Sequence, residues 1–212
     1  MNILAFDCCS AISIGLLKDD KLIDKKFFDQ NTSHSEKLVL EIKNLVFSNN
    51  LDLKNIDLFV ANNGPGGYTG IRVALSVLKM FKISYQKPCL TLNSFEILTN
   101  KYFHQKTKLN IAIKGNANEI FFAKYNFLNG KILQETQPII TDLDSIKKQL
   151  NPNEFICGSA NKLFVDHQFK SEQDDVFLVD EMLILGEKLY KNNLSQEILP
   201  LYLREPKTST PK

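Results

Sequence analysis

The sequence lacks a dominant charge. Its 212 residues carry 26 Lys and Arg side chains against 24 Asp and Glu, which gives a net charge of +2. A protein that binds nucleic acid through bulk charge shows a strongly basic surface, so this balance counts against that class and leaves local basic patches open. The length fits one domain or two small lobes, and a hydrophobic content of 43% can fill a core.

Cysteine pairs are also missing, because no two cysteines have the CxxC spacing of zinc ribbons and thioredoxin-like sites. The simpler interpretation is that all four cysteines are small buried residues of a protein in a reducing compartment. They are Cys8, Cys9, Cys89 and Cys157. The N-terminus MNILAFDCCS has neither the basic flank nor the apolar run of a signal peptide. No segment approaches the roughly 20 apolar residues that cross a bilayer. We therefore expect a cytoplasmic protein without a membrane segment.

Paired histidines are absent as well. His34, His104 and His167 include no two residues four apart, which excludes HExxH and HxxxH metal sites. No GxSxG nucleophile motif is present. His34 could act as a ligand or a base, but a capping or surface role is the commoner use of a histidine before a helix. We predict neither catalytic residues nor a bound metal.

Two similar series of elements follow one another along the chain. Each begins with three short apolar runs separated by turns, which indicate antiparallel strands, and continues with mixed helices and strands. The first runs are NILAFD, ISIGLL and LIDKKFF, and the second are LNIAIKG, EIFFAKYNF and KILQETQPII. This repetition predicts two related lobes, residues 1–105 and 106–212, in an α/β fold with a duplicated mixed-sheet unit.

Helical spacing of apolar residues predicts the helices that join these strands. The first lies in SHSEKLVLEIKNLV, with Thr32 or Ser33 as its N-cap, and the second begins at about Ile71. Further helices are predicted in LNSFEILTNKYF, DLDSIKKQL and EMLILGEKLYKNN, and a strand is predicted in EFICGS. The chain ends in a polar, proline-containing tail, which we expect to be mobile.

A glycine-rich loop, NNGPGGYTG, joins the apolar strand IDLFVAN to the second helix, and such loops often hold phosphate. It lacks the lysine of a Walker A loop, and Thr69 replaces the third glycine of a dinucleotide fingerprint. Backbone N–H groups and Arg72 could still form an anion site; the alternative is a tight turn in which glycine permits positive φ. The candidate phosphate or nucleotide contacts are Asp7, Gly64, Gly66, Gly67, Thr69 and Gly70.

The helix after the loop carries two apolar stripes. Ile71, Ala74, Leu75, Leu78 and Phe81 form one stripe, and Val73, Val77 and Met80 form the other. One stripe can pack on the sheet of its own lobe, and the other needs either a partner or burial within the domain.

Asp7 ends the first strand, where actin-like proteins and sugar kinases place an acid near a nucleotide-bound metal. Position alone favours a solvated acid at a strand end. Lys114 occupies the equivalent place in the second series, so a second acidic phosphate loop is missing.

Four segments, ILAFD, SHSEKLVLEIKNLV, GPGGYTGIRVALSVLKMF and LPLYLREP, together resemble the TsaB (YeaZ) family in order and spacing across nearly the whole chain. The family usually has Ser-Phe where this chain has Gly67-Tyr68. The resemblance implies a two-lobed actin, hexokinase and heat-shock-ATPase-like (ribonuclease H-like) fold.

The resemblance also implies a non-catalytic subunit that supports the TsaD transferase. Together they would form threonylcarbamoyladenosine in tRNAs that read codons beginning with A. TsaD would be the heterodimer partner, the small ATPase TsaE would join the pair, and tRNA would bind mainly through the complex. For the isolated chain, both a homodimer and a monomer stay open. We expect no tightly bound cofactor, and the partner interface stays open as a site for ATP or ADP. The family interface uses the first two helices, which here carry Leu38, Ile42, Leu45, Val46, Arg72, Leu75, Leu78 and Lys79.

The chain departs from the family pattern in two places. Cys8 stands where threonine or another small polar residue is usual, and AIKGNAN replaces Ala-Ile-Asp-Ala-Arg, so that Lys114 replaces the acid and Asn116 the arginine. The second departure counts against a nucleotide role for the second lobe.

Two other functions are alternatives to the non-catalytic subunit. One is an ATP-binding enzyme of the actin/sugar-kinase type. The other is a metalloprotease, which is less favoured because the sequence has no histidine pair.

Overall fold

The computed structural model describes residues 1–28, 34–151, 153–164, 170–171, 178–192 and 197–203, with backbone only for residues 34–36 and 170–171. Within these described residues, the chain forms two mixed β-sheets and five α-helices. The strands of the first sheet are β1 (Asn2–Asp7), β2 (Ile12–Lys18), β3 (Lys21–Phe28), β4 (Leu58–Asn62) and β5 (Cys89–Leu92). Those of the second are β6 (Lys108–Lys114), β7 (Ile120–Leu128), β8 (Lys131–Gln134), β9 (Ile139–Thr141), β10 (Phe155–Cys157) and β11 (Lys170–Ser171). The helices are α1 (His34–Ser48), α2 (Tyr68–Tyr85), α3 (Ser94–Tyr102), α4 (Leu143–Gln149) and α5 (Val179–Lys191).

The two sheets have the same strand order. The first runs β3-β2-β1-β4-β5, and the second runs β8-β7-β6-β10-β11 with β9 added beside β7. β1 pairs antiparallel with β2 and parallel with β4, just as β6 pairs antiparallel with β7 and parallel with β10. This repetition confirms the predicted actin-like α/β fold with a duplicated mixed-sheet unit.

Strands β1, β4 and β5 of the first sheet are buried on both faces because helices cover both faces, whereas the edge strand β3 is mostly exposed. In β1, Leu4 and Phe6 face the core beneath α1 and α2, whereas Ile3 and Ala5 face the core between the two sheets. This alternation follows from the two-residue repeat of a strand. The layers are therefore α1 and α2, the first sheet, α3 and α5, the second sheet, and α4.

Helix α5 and residues 197–203 pack on the first sheet, although the predicted division placed them in the second lobe. A Cβ on Gly186 in α5 would lie 2.8 Å from Val60 Cγ2, so this glycine permits close approach of the helix to β4. Ile198 is buried in the core beneath α1 and α2. The chain thus returns to the first lobe after building the second sheet.

Two local predictions differ from the structure, and three others lie outside the described residues. The predicted strand KILQETQPII is split into β8 and β9, since Pro138 has no N–H for a ladder and the N–H groups of Glu135 and Thr136 both donate to Lys124 O. α2 begins at Tyr68, three residues before the predicted start. The predicted N-caps Thr32 and Ser33, the side chain of His34 and the tail from residue 204 lie outside the described residues.

All four cysteines are free and buried, as predicted. Among the residues that the structure describes, no helix combines the length and apolar character that a bilayer-spanning segment needs.

Candidate functional site: the glycine loop and the face of α1 and α2

The glycine loop occupies residues 63–67, between the buried strand β4 and the long helix α2. Gly64 has a φ of 107°, a left-handed conformation that favours glycine, and its N–H donates to Asn62 Oδ1 at 2.9 Å. The following Gly64–Pro65 peptide is cis. Gly67 is the N-cap of α2 and offers no side chain to cap it. The loop therefore turns sharply out of the sheet and delivers the chain directly into the helix.

The glycines after this turn pack on the backbone that follows β1. A Cβ on Gly66 would lie 2.6 Å from Cys9 Cβ, and a Cβ on Gly70 would overlap the Cys8 carbonyl oxygen. The Gly67 N–H, which points out of the helix N-terminus, donates to Cys9 O at 2.6 Å. A bound phosphate would need hydrogen bonds from backbone N–H groups of this kind. Here the Gly67 N–H is already used, because it donates to the carbonyl of Cys9. The loop thus joins β1 to α2.

Asp7 ends β1 beneath this contact, and only 1% of its surface is exposed. Its Oδ1 accepts a hydrogen bond from the Cys9 N–H at 2.8 Å. Burial raises the pKa of the Asp7 carboxyl, while hydrogen bonds from Cys9 and Asn62 act against that rise. The expectation of a solvated acid was wrong, because the strand end is covered by the loop. Burial also raises the pKa values of the Cys8 and Cys9 thiols, which favours their protonated, unreactive form.

A buried polar pair that we did not predict fixes the other side of the loop. Asn62 and Ser94 are 0% and 3% exposed, and Asn62 Nδ2 donates to Ser94 Oγ at 3.0 Å. Ser94 then donates to both turn carbonyls, from Oγ to Pro65 O at 3.1 Å and from N–H to Gly64 O at 2.8 Å. The available signal in the sequence was a polar residue at the end of β4 and another shortly after the end of the adjacent parallel strand β5.

The C-terminal segment closes over the loop. The Leu201 N–H donates to Asn63 O at 2.8 Å, and Asn63 Nδ2 donates to Leu199 O at 2.9 Å. Residues 197–203 therefore form part of the loop's outer wall, which agrees with the appearance of LPLYLREP among the segments that resemble a known family.

Arg72, the cation of the anion-site hypothesis, lies in a cluster with two tyrosines. Its guanidinium carbon is 4.1 Å from the centroid of the Tyr68 ring, and its Nε donates to the Tyr202 hydroxyl at 3.3 Å. The two rings are 5.3 Å apart. Arg72 thus ties the start of α2 to the C-terminal segment, an interaction that uses both its charge and its flat face.

Six of the eight residues predicted for the partner interface are buried in the core of their own lobe. A helical repeat of apolar residues identifies the stripe that faces the sheet, so the prediction selected the core face of each helix. The buried six are Leu38, Ile42, Leu45, Val46, Leu75 and Leu78. Their side chains are therefore unavailable to a partner, whereas Arg72 and Lys79 are exposed.

Other apolar side chains on the same two helices face outward. Leu40 and Phe47 in α1 are 56% and 83% exposed, and Met80 and Ile83 in α2 are 41% and 78% exposed. α1 and α2 pack against each other. We call these four side chains the α1–α2 outer face. The second predicted stripe of α2 is divided, since Val77 is buried and Met80 belongs to this face.

The second sheet repeats the turn without the acid. Lys114 ends β6 as Asp7 ends β1, and its N–H donates to Ser159 Oγ at 3.0 Å. Gly158 follows β10 with a φ of 101°, as Gly64 follows β4. Asn116 is exposed. Within the described ranges, no three His, Cys, Asp or Glu side chains come together in a way that could hold a metal ion.

Comparison with known proteins agrees with this geometry. Residues 28–203 match the family described as "TsaD: tRNA N6-adenosine threonylcarbamoyltransferase". The tRNA threonylcarbamoyladenosine biosynthesis protein TsaB of Buchnera aphidicola subsp. Baizongia pistaciae is 24% identical over 223 residues, covering 96% of this chain and 98% of that protein. The TsaB of Buchnera aphidicola subsp. Acyrthosiphon pisum is 24% identical over 125 residues, so this chain spans about half of its length, 54%.

The chain belongs to the TsaB (YeaZ) branch of the TsaD family. Its fold is also that of YeaZ from Pseudomonas aeruginosa, with a TM-score of 0.75, 18% identity and coverage of 95% of this chain and 99% of that one. Membership of the TsaB branch confirms the resemblance drawn from the four sequence segments. Relatives in this branch are named for the biosynthesis of threonylcarbamoyladenosine in tRNA.

Proposed function

We propose that this chain is a non-catalytic subunit that supports a TsaD-type transferase. The product would be threonylcarbamoyladenosine in tRNAs that read codons beginning with A. The observation that carries this proposal is the α1–α2 outer face, where four large apolar side chains are 41% to 83% exposed on two neighbouring helices. Burying a side chain of this size is worth about 1.5–3 kcal/mol, so such a face favours a protein partner.

The glycine loop supports the same proposal by a different route. Its glycines pack on the carbonyls of Cys8 and Cys9, and Asn62 and Ser94 hold its turn. These contacts set where α2 begins and how it lies on the sheet. We infer that the loop serves mainly to position α2, and with it Met80 and Ile83, for assembly.

The remaining partners follow from the same assignment. The TsaD-type protein would occupy the α1–α2 outer face together with Arg72 and Lys79, two exposed residues of α2. A small ATPase of the TsaE type would join the pair, and most tRNA contact would come from the complex. Without the transferase, a second copy of this chain would cover the face, because the exposed apolar side chains favour burial in either case.

Modification of tRNA in the presence and absence of this chain tests the proposal. Purified TsaD-type transferase from the same cell, supplied with threonylcarbamoyl-AMP and unmodified tRNA, should form modified base only when this chain is added. The modified nucleoside would be measured by mass spectrometry after digestion. Full activity of the transferase alone would remove the supporting role.

We further propose that the isolated chain binds no nucleotide tightly, with any ATP or ADP held at the partner interface. The buried Asp7 and the internal use of the Gly67 N–H support this. Calorimetry of the isolated chain with Mg²⁺ and ATP should give a Kd weaker than about 1 mM, an affinity of less than about 4 kcal/mol. Micromolar, magnesium-dependent binding that is lost in Asp7→Asn would favour the alternative of an ATP-binding enzyme.

A further inference from the structure

The helices of the α1–α2 outer face also carry an excess of positive charge. Together, α1 and α2 contain five Lys and Arg residues and two Glu residues, a net charge of +3, whereas the whole chain has a net charge of +2. Both Glu residues belong to α1, so the 18 residues of α2 contain no acid. The five cations are exposed, and we call them the basic rim: Lys37, Lys43, Arg72, Lys79 and Lys82.

Helical spacing places two of these cations beside the apolar side chains of the face. In α1, Lys43 lies three residues after Leu40 and four residues before Phe47. In α2, Lys79 lies four residues before Ile83. Side chains three or four residues apart on a helix are neighbours, with about 5–6 Å between their Cβ atoms. A partner that covers the apolar side chains must therefore also meet the two lysines.

The protein's own carboxylates leave the basic rim charged. Among the described side chains, no ion pair involves any of its five cations. Glu41 of α1 instead pairs with Lys26 of β3, whose Nζ is 3.0 Å from Glu41 Oε2. The side chain of Glu36 lies outside the described residues. Arg72 contacts two tyrosines rather than a carboxylate, so its charge is also uncompensated.

This charge distinguishes between the two proteins that could cover the face. In a dimer of two copies related by a twofold axis, each copy presents the same patch, so both basic rims would meet across one interface. Like charges opposed across an interface are unfavourable, whereas opposite charges attract and orient the partners. The basic rim therefore favours a partner that brings carboxylates.

We propose that the basic rim selects a protein surface with an apolar centre and surrounding carboxylates over a second copy of this chain. The inference rests on the proposed function, in which that surface belongs to the TsaD-type transferase. The apolar side chains supply affinity for either protein, and the charge decides between them. The two associations should respond to salt in opposite directions, because salt screens attraction in one and repulsion in the other.

Affinities measured at two salt concentrations test the inference. Isothermal titration calorimetry of the full chain with the TsaD-type transferase, at about 50 mM and about 500 mM NaCl, should give a Kd at least about tenfold weaker at the higher concentration. Apolar contacts alone would not weaken as salt is added. Sedimentation of the chain without the transferase should show a monomer at the lower salt concentration, or a dimer that is weaker there than at the higher one.

K43E/K79E should change the two associations in opposite senses. At the lower salt concentration it should weaken binding to the transferase at least about tenfold and remove most of the salt dependence. The same variant should self-associate more tightly than the wild type, because its new carboxylates can face cations of the second copy. Damage to the fold would weaken both associations, so the two results together separate charge from folding.

The matched control is K108E/K131E, which makes the same change in charge at two exposed lysines of the second sheet. It should retain the wild-type affinity and salt dependence. The inference is overturned, with the proposed function still standing, if the complex forms but does not weaken with salt, or if K43E/K79E binds the transferase as the wild type does. It is also overturned if the control loses as much affinity, or if the homodimer is tighter at the lower salt concentration. A complete absence of the complex at both salt concentrations would overturn the proposed function as well.

Discussion

Gly70→Ala should lower the free energy of unfolding by about 3 kcal/mol or more, the range of severe overpacking. A Cβ at this position would overlap the carbonyl oxygen of Cys8, which is backbone and cannot turn away as a flexible side chain could. Helix propensity acts in the opposite direction, since alanine in a helix is favoured over glycine by about 1 kcal/mol. The steric cost exceeds that gain, so the net effect is destabilising.

Urea unfolding followed by circular dichroism measures this difference. Ser76→Ala, at an exposed position of the same helix, is the matched control and should change stability by no more than about 0.5 kcal/mol. A Gly70→Ala protein as stable as the wild type would show that α2 does not meet the turn after β1. The proposed use of the glycines for packing would then be wrong.

The double variant Phe47→Glu/Ile83→Glu should weaken binding to the TsaD-type partner at least about 100-fold, or about 2.7 kcal/mol. The two side chains are 83% and 78% exposed, so the fold itself should lose little stability. In the complex, each carboxylate would have to leave water and face an apolar partner surface without a counter-ion. Surface plasmon resonance with immobilised partner measures the change, and thermal unfolding checks that the variant is folded.

Leu133→Glu/Leu163→Glu provides the control for that variant. These leucines are 44% and 45% exposed in the second lobe, and the substitution adds the same charge. Its affinity for the partner should match the wild type. Equal loss in both variants would point to a general effect of added charge, and unchanged affinity in the first variant would exclude the α1–α2 outer face as the interface.

Much of the fold could be predicted because the relevant signals are local. The alternating burial of β1, with Leu4 and Phe6 on one side and Ile3 and Ala5 on the other, follows from a continuous apolar run that needs cover on both faces. The repeated meanders predicted the two matching sheets. The failure of the phosphate-loop motifs at residues 64–70 could also be seen in the sequence, since it depends only on residue type and spacing.

The contacts that close the site could not be predicted, because they join distant parts of the chain. Asp7 has the sequence context of an exposed strand end, and its burial arises only when the loop some sixty residues later packs over it. The packing of α5 on the first sheet could not be predicted for the same reason. Periodicity shows that a helix has an apolar face, but it does not show which part of the chain covers that face. The predicted interface residues were mostly core residues for a related reason. Leu38 and Ile42 belong to the helical apolar repeat that marks the core face of α1, whereas exposed Phe47 lies outside that repeat and carries no signal of its own.

The native mass of this chain mixed with the TsaD-type protein of the same cell tests the central claim most directly. Native mass spectrometry, or sedimentation at several concentrations, would give the stoichiometry. We predict a complex with equal numbers of the two chains, absent from a mixture that contains Phe47→Glu/Ile83→Glu. Two separate masses for the wild-type chains, with magnesium-dependent ATP turnover by this chain alone, would contradict the account.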